Sequence, residues 1–158
     1  MASAVELELL RGSDADELVG LLTESDLRVW LRARDVEQLR ARFEGWEVRE
    51  SPDGRERWLN WIVRSNEDGR ALGWVQATVA DGAAQVAYAV LPAERGRGYA
   101  TEALIAMMSE LHANLGVVFF EARIEEHNIG SQKVAAGAGF KRTDRTVRGE
   151  SVWTKTGA

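Results

Sequence analysis

The sequence predicts an α/β fold on a mixed, mostly antiparallel sheet of about seven strands flanked by about four helices. Three observations carry that expectation. Residues 57–65 (RWLNWIVRS), 70–79 (RALGWVQATV) and 84–91 (AQVAYAVL) are strand-like runs separated by the turns NEDG and ADGA, the pattern of an antiparallel meander. Ala100, Ala103, Leu104, Met107, Met108 and Leu111 fall on one clean helical face. That helix stands between two apolar strand-like runs, from about residue 84 to 123, as in a parallel crossover. At 158 residues the chain suits a single domain, 1–158, with a core of its own.

The elements follow in order. ELELLRG reads as a first strand ending at Gly12. Ser13 then stands as an N-cap before DADELVGLL, with acids in the first turn and Leu18, Leu21 and Leu22 behind them. Leu27, Trp30, Leu31, Val36, Leu39 and Phe43 give a second helix with a broken apolar stripe, and Asp35 is placed to start a new helical piece within it. The meander and the 100–111 helix come next, then a buried strand in GVVFFEARI. A short helix runs from Asn128 and closes at Gly139, and FKRTDRTVRG with ESVWTKT forms a final hairpin.

Composition removes several function classes. With no cysteine, thiol catalysis, disulfides and cysteine metal sites are excluded. Two distant histidines make no metal constellation, so no metal is expected. A net charge of −5 argues against bulk-charge binding of nucleic acid. No apolar run reaches the ~18 residues of a membrane span. The start, MASAVELELL, lacks the basic and apolar regions of a signal peptide, which points to the cytoplasm.

The stretch PAERGRGYATEAL, residues 92–104, concentrates chemistry. A helix beginning near Gly98 presents unpaired N–H groups and a positive dipole end, a ready anion site. Gly96 and Gly98 leave that backbone bare, and Arg95 and Arg97 add cationic donors. The simplest alternative is a tight strand–helix turn. Two nucleotide loops are excluded: Gly98 is followed by Tyr99 rather than Lys-Ser/Thr, and Thr101 stands where a dinucleotide fingerprint needs its third glycine.

Arg95-Gly96-Arg97-Gly98-Tyr99-Ala100 resembles R/Q-x-x-G-x-G/A, the acetyl-coenzyme A pyrophosphate loop of the GNAT superfamily of N-acetyltransferases. YAVLPAERGRGYATEAL and NIGSQKVAAGAGF look like its ribosomal-protein N-acetyltransferase branch, over roughly Trp58 to Trp153. The resemblance implies a sheet splayed at a central parallel strand pair, and direct acetyl transfer from acetyl-CoA to a primary amine within a ternary complex. It implies that the backbone of Gln85 to Leu91, including Val90 and Leu91, pairs with pantetheine. Backbone N–H groups of Arg95, Gly96, Arg97, Gly98, Tyr99 and Ala100 would hold the pyrophosphate. Asn128 would bond the pantetheine arm, and Ser131 would lie near the sulfur and protonate the leaving thiolate.

Two positions depart from the family's pattern. Gln85 stands where relatives often carry a glutamate base, and Ala135 where many carry a tyrosine. Glutamine accepts no proton at neutral pH. Glu121 and His127 are the substitute candidates for a base, with Glu125 and Glu126 beside them; a water chain to solvent is the base-free route. The acceptor is an amine, either a small molecule or a peptide N-terminus. Trp30, Trp46, Trp58, Trp61 and Trp74 either wall its pocket or pack the sheet. The alternative function is a non-catalytic acyl-CoA sensor of the same fold. A homodimer is an expectation from the resemblance.

Overall fold

The computed structural model describes residues 3–157, without the side chains of Glu24, Leu27 and Trp30. The apolar positions expected at Leu27 and Trp30 lie outside the described residues. The chain forms β1 (Val5–Leu9), α1 (Asp14–Leu21), α2 (Glu24–Trp30), α3 (Val36–Trp46), β2 (Arg57–Ser65), β3 (Ala71–Ala80) and β4 (Ala83–Val90). A single 3₁₀ turn (Pro92–Glu94), α4 (Tyr99–Leu115), β5 (Phe119–Glu125), α5 (Ile129–Gly137), β6 (Lys141–Val147) and β7 (Glu150–Thr156) complete it. One sheet joins the strands in the order β1-β2-β3-β4-β5-β7-β6, antiparallel everywhere except at β4–β5. The α4 crossover explains that exception, since parallel neighbours need a long connection.

Helical ends follow local chemistry. Asp35 caps α3 by accepting from the Gln38 N–H at 2.9 Å, so the second expected helix is two pieces, α2 and α3. Ser13 does occupy the N-cap of α1, but its side chain makes no capping bond. Asp14 instead ties down the turn that leads into the helix, accepting from the Arg11 N–H at 2.8 Å. The Arg148-Gly149 pair, both at positive φ, closes the β6–β7 hairpin as a two-residue turn.

A core lies on each face of the sheet. The larger packs Ala103, Leu104, Met107, Met108 and Leu111 of α4, the face read from the sequence, against Trp61, Val63, Val75, Val86 and Phe120. The smaller sets Leu18, Leu39 and Phe43 of the N-terminal helices against Ile62, Trp74 and Leu91. Alternation along each strand feeds both cores, so neighbours such as Trp61 and Ile62 point opposite ways. Most of the tryptophans therefore pack the sheet: Trp61 in the larger core, Trp46 against the smaller and stacked on Phe43 at 5.4 Å. Among the described residues no helix is long and apolar enough to cross a membrane.

Candidate functional site

The parallel strand pair comes apart. β4 pairs with β3 along its full length, Ala83 to Val90. Its pairing with β5 runs only from Ala83↔Phe119 to Val86↔Ala122. β5 continues instead along β7 to Glu125↔Glu150, leaving Ala87 to Val90 without a ladder partner on that edge. One strand on, Gly73 allows the chains to approach: a Cβ there would stand 2.1 Å from the Ala89 carbonyl oxygen. A cleft of about 700 Å³ occupies the gap, bounded by β4, the 94–101 loop, the start of α5, and Trp74 and Gln76 of β3.

The loop presents backbone, as its glycines predict. Gly96 and Gly98 have φ of +80° and +81°, which disfavours L side chains, and a Cβ on either would point into open space. Gly98 is the left-handed N-cap of the 17-residue α4 and offers no side chain to cap its first turn. The first turn of α4 borders the cleft, where Gly98, Tyr99, Ala100 and Thr101 line the wall. Arg95 reaches back to the Val90 carbonyl at 3.3 Å. Arg97 is outside the cleft lining and pairs with Glu94 at 3.6 Å.

An ion-pair chain pins this loop to the β2–β3 hairpin. Arg70 grips Glu94 with a two-bond fork, Nε to Oε1 at 2.9 Å and Nη2 to Oε2 at 3.1 Å, while its Nη1 holds both oxygens of Asp68. The Arg70 hydrogen bond keeps the Glu94 carboxyl below its usual range, and Glu94 and Asp68 raise Arg70. The Arg70 backbone N–H is the main cause of a lowered Asp68.

Across the gap, Asn128 caps α5, its Oδ1 accepting from the Ser131 N–H at 3.0 Å. That bond fixes Ser131 at the cleft. The Tyr88 hydroxyl spans the gap to meet it, donating to the Ser131 carbonyl at 2.8 Å and accepting from Ser131 Oγ at 3.0 Å. Burial raises the Tyr88 phenol, with the Ser131 bond opposing. From the sequence alone Tyr88, an aromatic on a strand, reads either as a wall of the acetyl pocket or as core. Its strand position placed it correctly in the wall, but nothing in the sequence foretold the contact with Ser131. Ala135, the family's other tyrosine position, is fully buried in the larger core.

Other expected residues stand elsewhere. Leu91 offers no backbone to a ligand: its N–H donates to the Leu72 carbonyl at 2.8 Å and its carbonyl accepts from Glu94 at 2.9 Å. It is a buried member of the smaller core. Val90 does line the cleft. Neither Glu121 nor His127 is among the residues lining it. Glu121 sits directly beside Gln85 in the parallel pair, with Arg123 at 3.1 Å and Arg145 at 3.6 Å on its two oxygens. His127 is exposed on the turn before α5. Glu126 is paired with Arg142, and Glu125 is exposed at the end of β5.

On the face opposite α4, cross-strand partners form rows. One row is Ile62–Trp74–Ala89, the next Asn60–Gln76–Ala87, and the next Trp58–Thr78–Gln85, continued by Glu121. The first is roofed by the smaller core. In the second, Asn60 is 8% exposed and its Oδ1 has no hydrogen-bond partner. An unmade bond of this kind costs roughly 1–3 kcal/mol and calls for an explanation.

The cleft fits a thioester that carries a diphosphate: bare N–H groups at a helix start, an unpaired strand edge able to bind amides, and two hydroxyls between them. The model of the acetyltransferase (GNAT) domain matches residues 5–141. No curated protein matches the sequence. Among solved structures, a Vibrio cholerae protein assigned as a ribosomal-protein-serine acetyltransferase superposes with a TM-score of 0.74 at 16% identity, over 99% of this chain and 95% of the other. The aminoglycoside acetyltransferase AAC(6')-Ib in complex with coenzyme A gives 0.76 at 19%, over 96% and 94%. RimL, the ribosomal L7/L12 α-N-protein acetyltransferase in complex with coenzyme A, gives 0.78 at 15%, over 98% and 95%. At these identities the likeness is one of fold.

Proposed function

Since this chain belongs to the GNAT acetyltransferase family and is an acetyl-CoA-dependent acetyltransferase, we propose that it passes the acetyl group directly to a primary amine entering from the Gln76 side of the cleft. The observation that carries this reading is the splay. Beyond Val86↔Ala122 the β4 edge is unpaired, with the glycine loop at one end of it and Ser131–Tyr88 opposite. Such an edge would pair with the amides of pantetheine, and the first turn of α4 would hold the diphosphate. Asn128 lines the same wall and would serve the arm between them.

Transfer forms a nitrogen–carbon bond and breaks the carbon–sulfur bond. The attacking nitrogen loses a proton and the departing sulfur gains one. On this chain the donor for sulfur is Ser131 Oγ. Rotation of its hydroxyl turns the proton from Tyr88 toward the cleft; Tyr88, kept protonated by burial, would swing its own O–H from the Ser131 carbonyl to Oγ and replace that proton, and the proton lost by the amine would return to Tyr88 through water. Among the described residues lining the cleft, Glu94 is the one carboxylate, and its fork with Arg70 suits it to holding the loop rather than taking a proton. The amine proton therefore leaves through water. Glu121 and His127, the bases expected from the sequence, stand outside the cleft lining, and Glu121 is held by Arg123 and Arg145.

Two measurements test the reading. Calorimetry with acetyl-CoA must give saturable binding; its absence at high concentration would remove the whole assignment. Free-thiol release, followed across peptides, polyamines and aminoglycosides, must exceed background hydrolysis with at least one amine. Binding without release across the whole panel would point to an acyl-CoA sensor, the alternative that rests on Gln85 and Ala135.

A further inference from the structure

We propose that the Asn60–Gln76 pair is the acceptor's anchoring site, and that it selects an amine followed by a peptide amide over one that lacks an amide. The proposal rests on the reading above, in which the acetyl thioester lies in the splay. Asn60, Gln76 and Ala87 are directly opposed on three adjacent strands. Ala87 is the first β4 residue past the β5 pairing, so the row ends at the mouth of the gap. Ala87 contributes only a methyl group, and Gln76 lines the cleft behind it. Asn60 comes next in the row, nine-tenths buried, with an Oδ1 that the fold leaves without a donor.

Strands in a sheet lie ~4.8 Å apart, so the row spans ~10 Å from Ala87 to Asn60. An extended peptide advances ~3.3 Å per residue. An α-amine over Ala87 thus brings amides of the first three residues along Gln76 and Asn60. A primary amide side chain offers both a donor and an acceptor, the complement of a peptide group. Rotation of the Asn60 side chain about its last bond presents the orphaned oxygen to a substrate N–H. The flanking rows supply Trp74 on one side and Trp58, Thr78 and Gln85 on the other. Two carboxylates border this floor: Glu121 faces two arginines, and Glu56 accepts from Trp58 Nε1 at 3.1 Å.

The test compares thiol release with short unblocked peptide amides against butylamine, which lacks an amide, in wild type, Asn60→Leu and Gln76→Ala. The ratio of kcat/KM for peptide over butylamine should fall about tenfold in Asn60→Leu and severalfold in Gln76→Ala, through KM. The melting temperature of Asn60→Leu should hold or rise, because the orphaned carbonyl is removed; a purely structural role would lower stability and leave the ratio alone. An unchanged ratio in both variants overturns the anchor while acetyl transfer stands. A wild type that prefers spermine or kanamycin to every peptide overturns the selectivity. Should Asn60→Leu not fold, exposed Gln76→Ala still decides. A calorimetric titration of wild type with acetyl-CoA reports separately on the parent reading.

Discussion

The two sides of the cleft are built differently. The donor side, residues 94–101 and 128–131, works mainly through backbone: positive-φ glycines, a bare helix start and a capped second helix. On the proposed acceptor side the work would fall to side chains carried on strands in register, Trp74 and Gln76 in the cleft wall and Asn60 behind Gln76. A backbone site must be contiguous, because consecutive N–H groups make it. A side-chain floor is assembled across strands, and its members are far apart in sequence. One side therefore fixes a ligand common to many proteins, while the other can change its ligand one residue at a time.

The comparison breaks most sharply at Gly98. Gly98→Asp places a carboxylate where the diphosphate should lie, and acetyl-CoA affinity should fall on the order of a hundredfold, as for losing one or two charged hydrogen bonds. Gly98→Ala is the control. Space exists for its methyl group, so it meets only the strain of φ +81°, roughly 1–2 kcal/mol. If titration calorimetry finds the aspartate variant binding like the alanine one, backbone recognition on the donor side is wrong.

How much was legible follows the same division. The loop at 95–100 and the cap at Asn128 were readable because glycine and capping chemistry act within a few residues. The meander, the crossover and the α4 face were readable through periodicity. The two-piece character of the second helix rested on Asp35, again a local signal. By contrast, Leu91 was assigned to the ligand because the resemblance carries the pantetheine-pairing strand through to it, whereas Leu72 and Glu94 consume both of its backbone groups. Glu121 was a reasonable base until the β6–β7 hairpin brought Arg145 to it. Tyr88 and Asn60 lay hidden for one reason: their importance comes from partners, present or missing, that only the register and the splay define.

The junction between the two sides is Tyr88, and Tyr88→Phe sharpens the comparison without removing either. The ring and its packing stay, while the bridge to Ser131 and the reserve proton go. General acid catalysis contributes roughly 10²–10⁴-fold, and Ser131 with water keeps part of it, so kcat should drop about tenfold to a hundredfold. Acetyl-CoA affinity should change far less. Burial raises the phenol, so in wild type the acid is present at neutral pH and is lost only as pH climbs through that elevated value. The alkaline fall in kcat attributable to Tyr88 should be missing from the phenylalanine enzyme. An unaltered kcat and pH profile would return Tyr88 to a packing role.

The mildest effect is expected at Glu94, where the donor side is held by side chains after all. Glu94→Gln keeps the shape but removes the charge that Arg70 grips. Because Arg70 is about one-third exposed, the pair is partly screened, and KM for acetyl-CoA should rise only about two- to threefold. The pH dependence identifies the cause. Arg70 holds the Glu94 carboxyl below its usual range. Its contribution is therefore complete above the usual carboxylate range and disappears as pH falls through the depressed value. Wild type should lose acetyl-CoA affinity over that acidic interval, and Glu94→Gln should show a flatter profile starting from weaker binding. If the two profiles run parallel, the Arg70–Glu94 fork does not hold the loop, and the glycine backbone alone sets the geometry of the donor side.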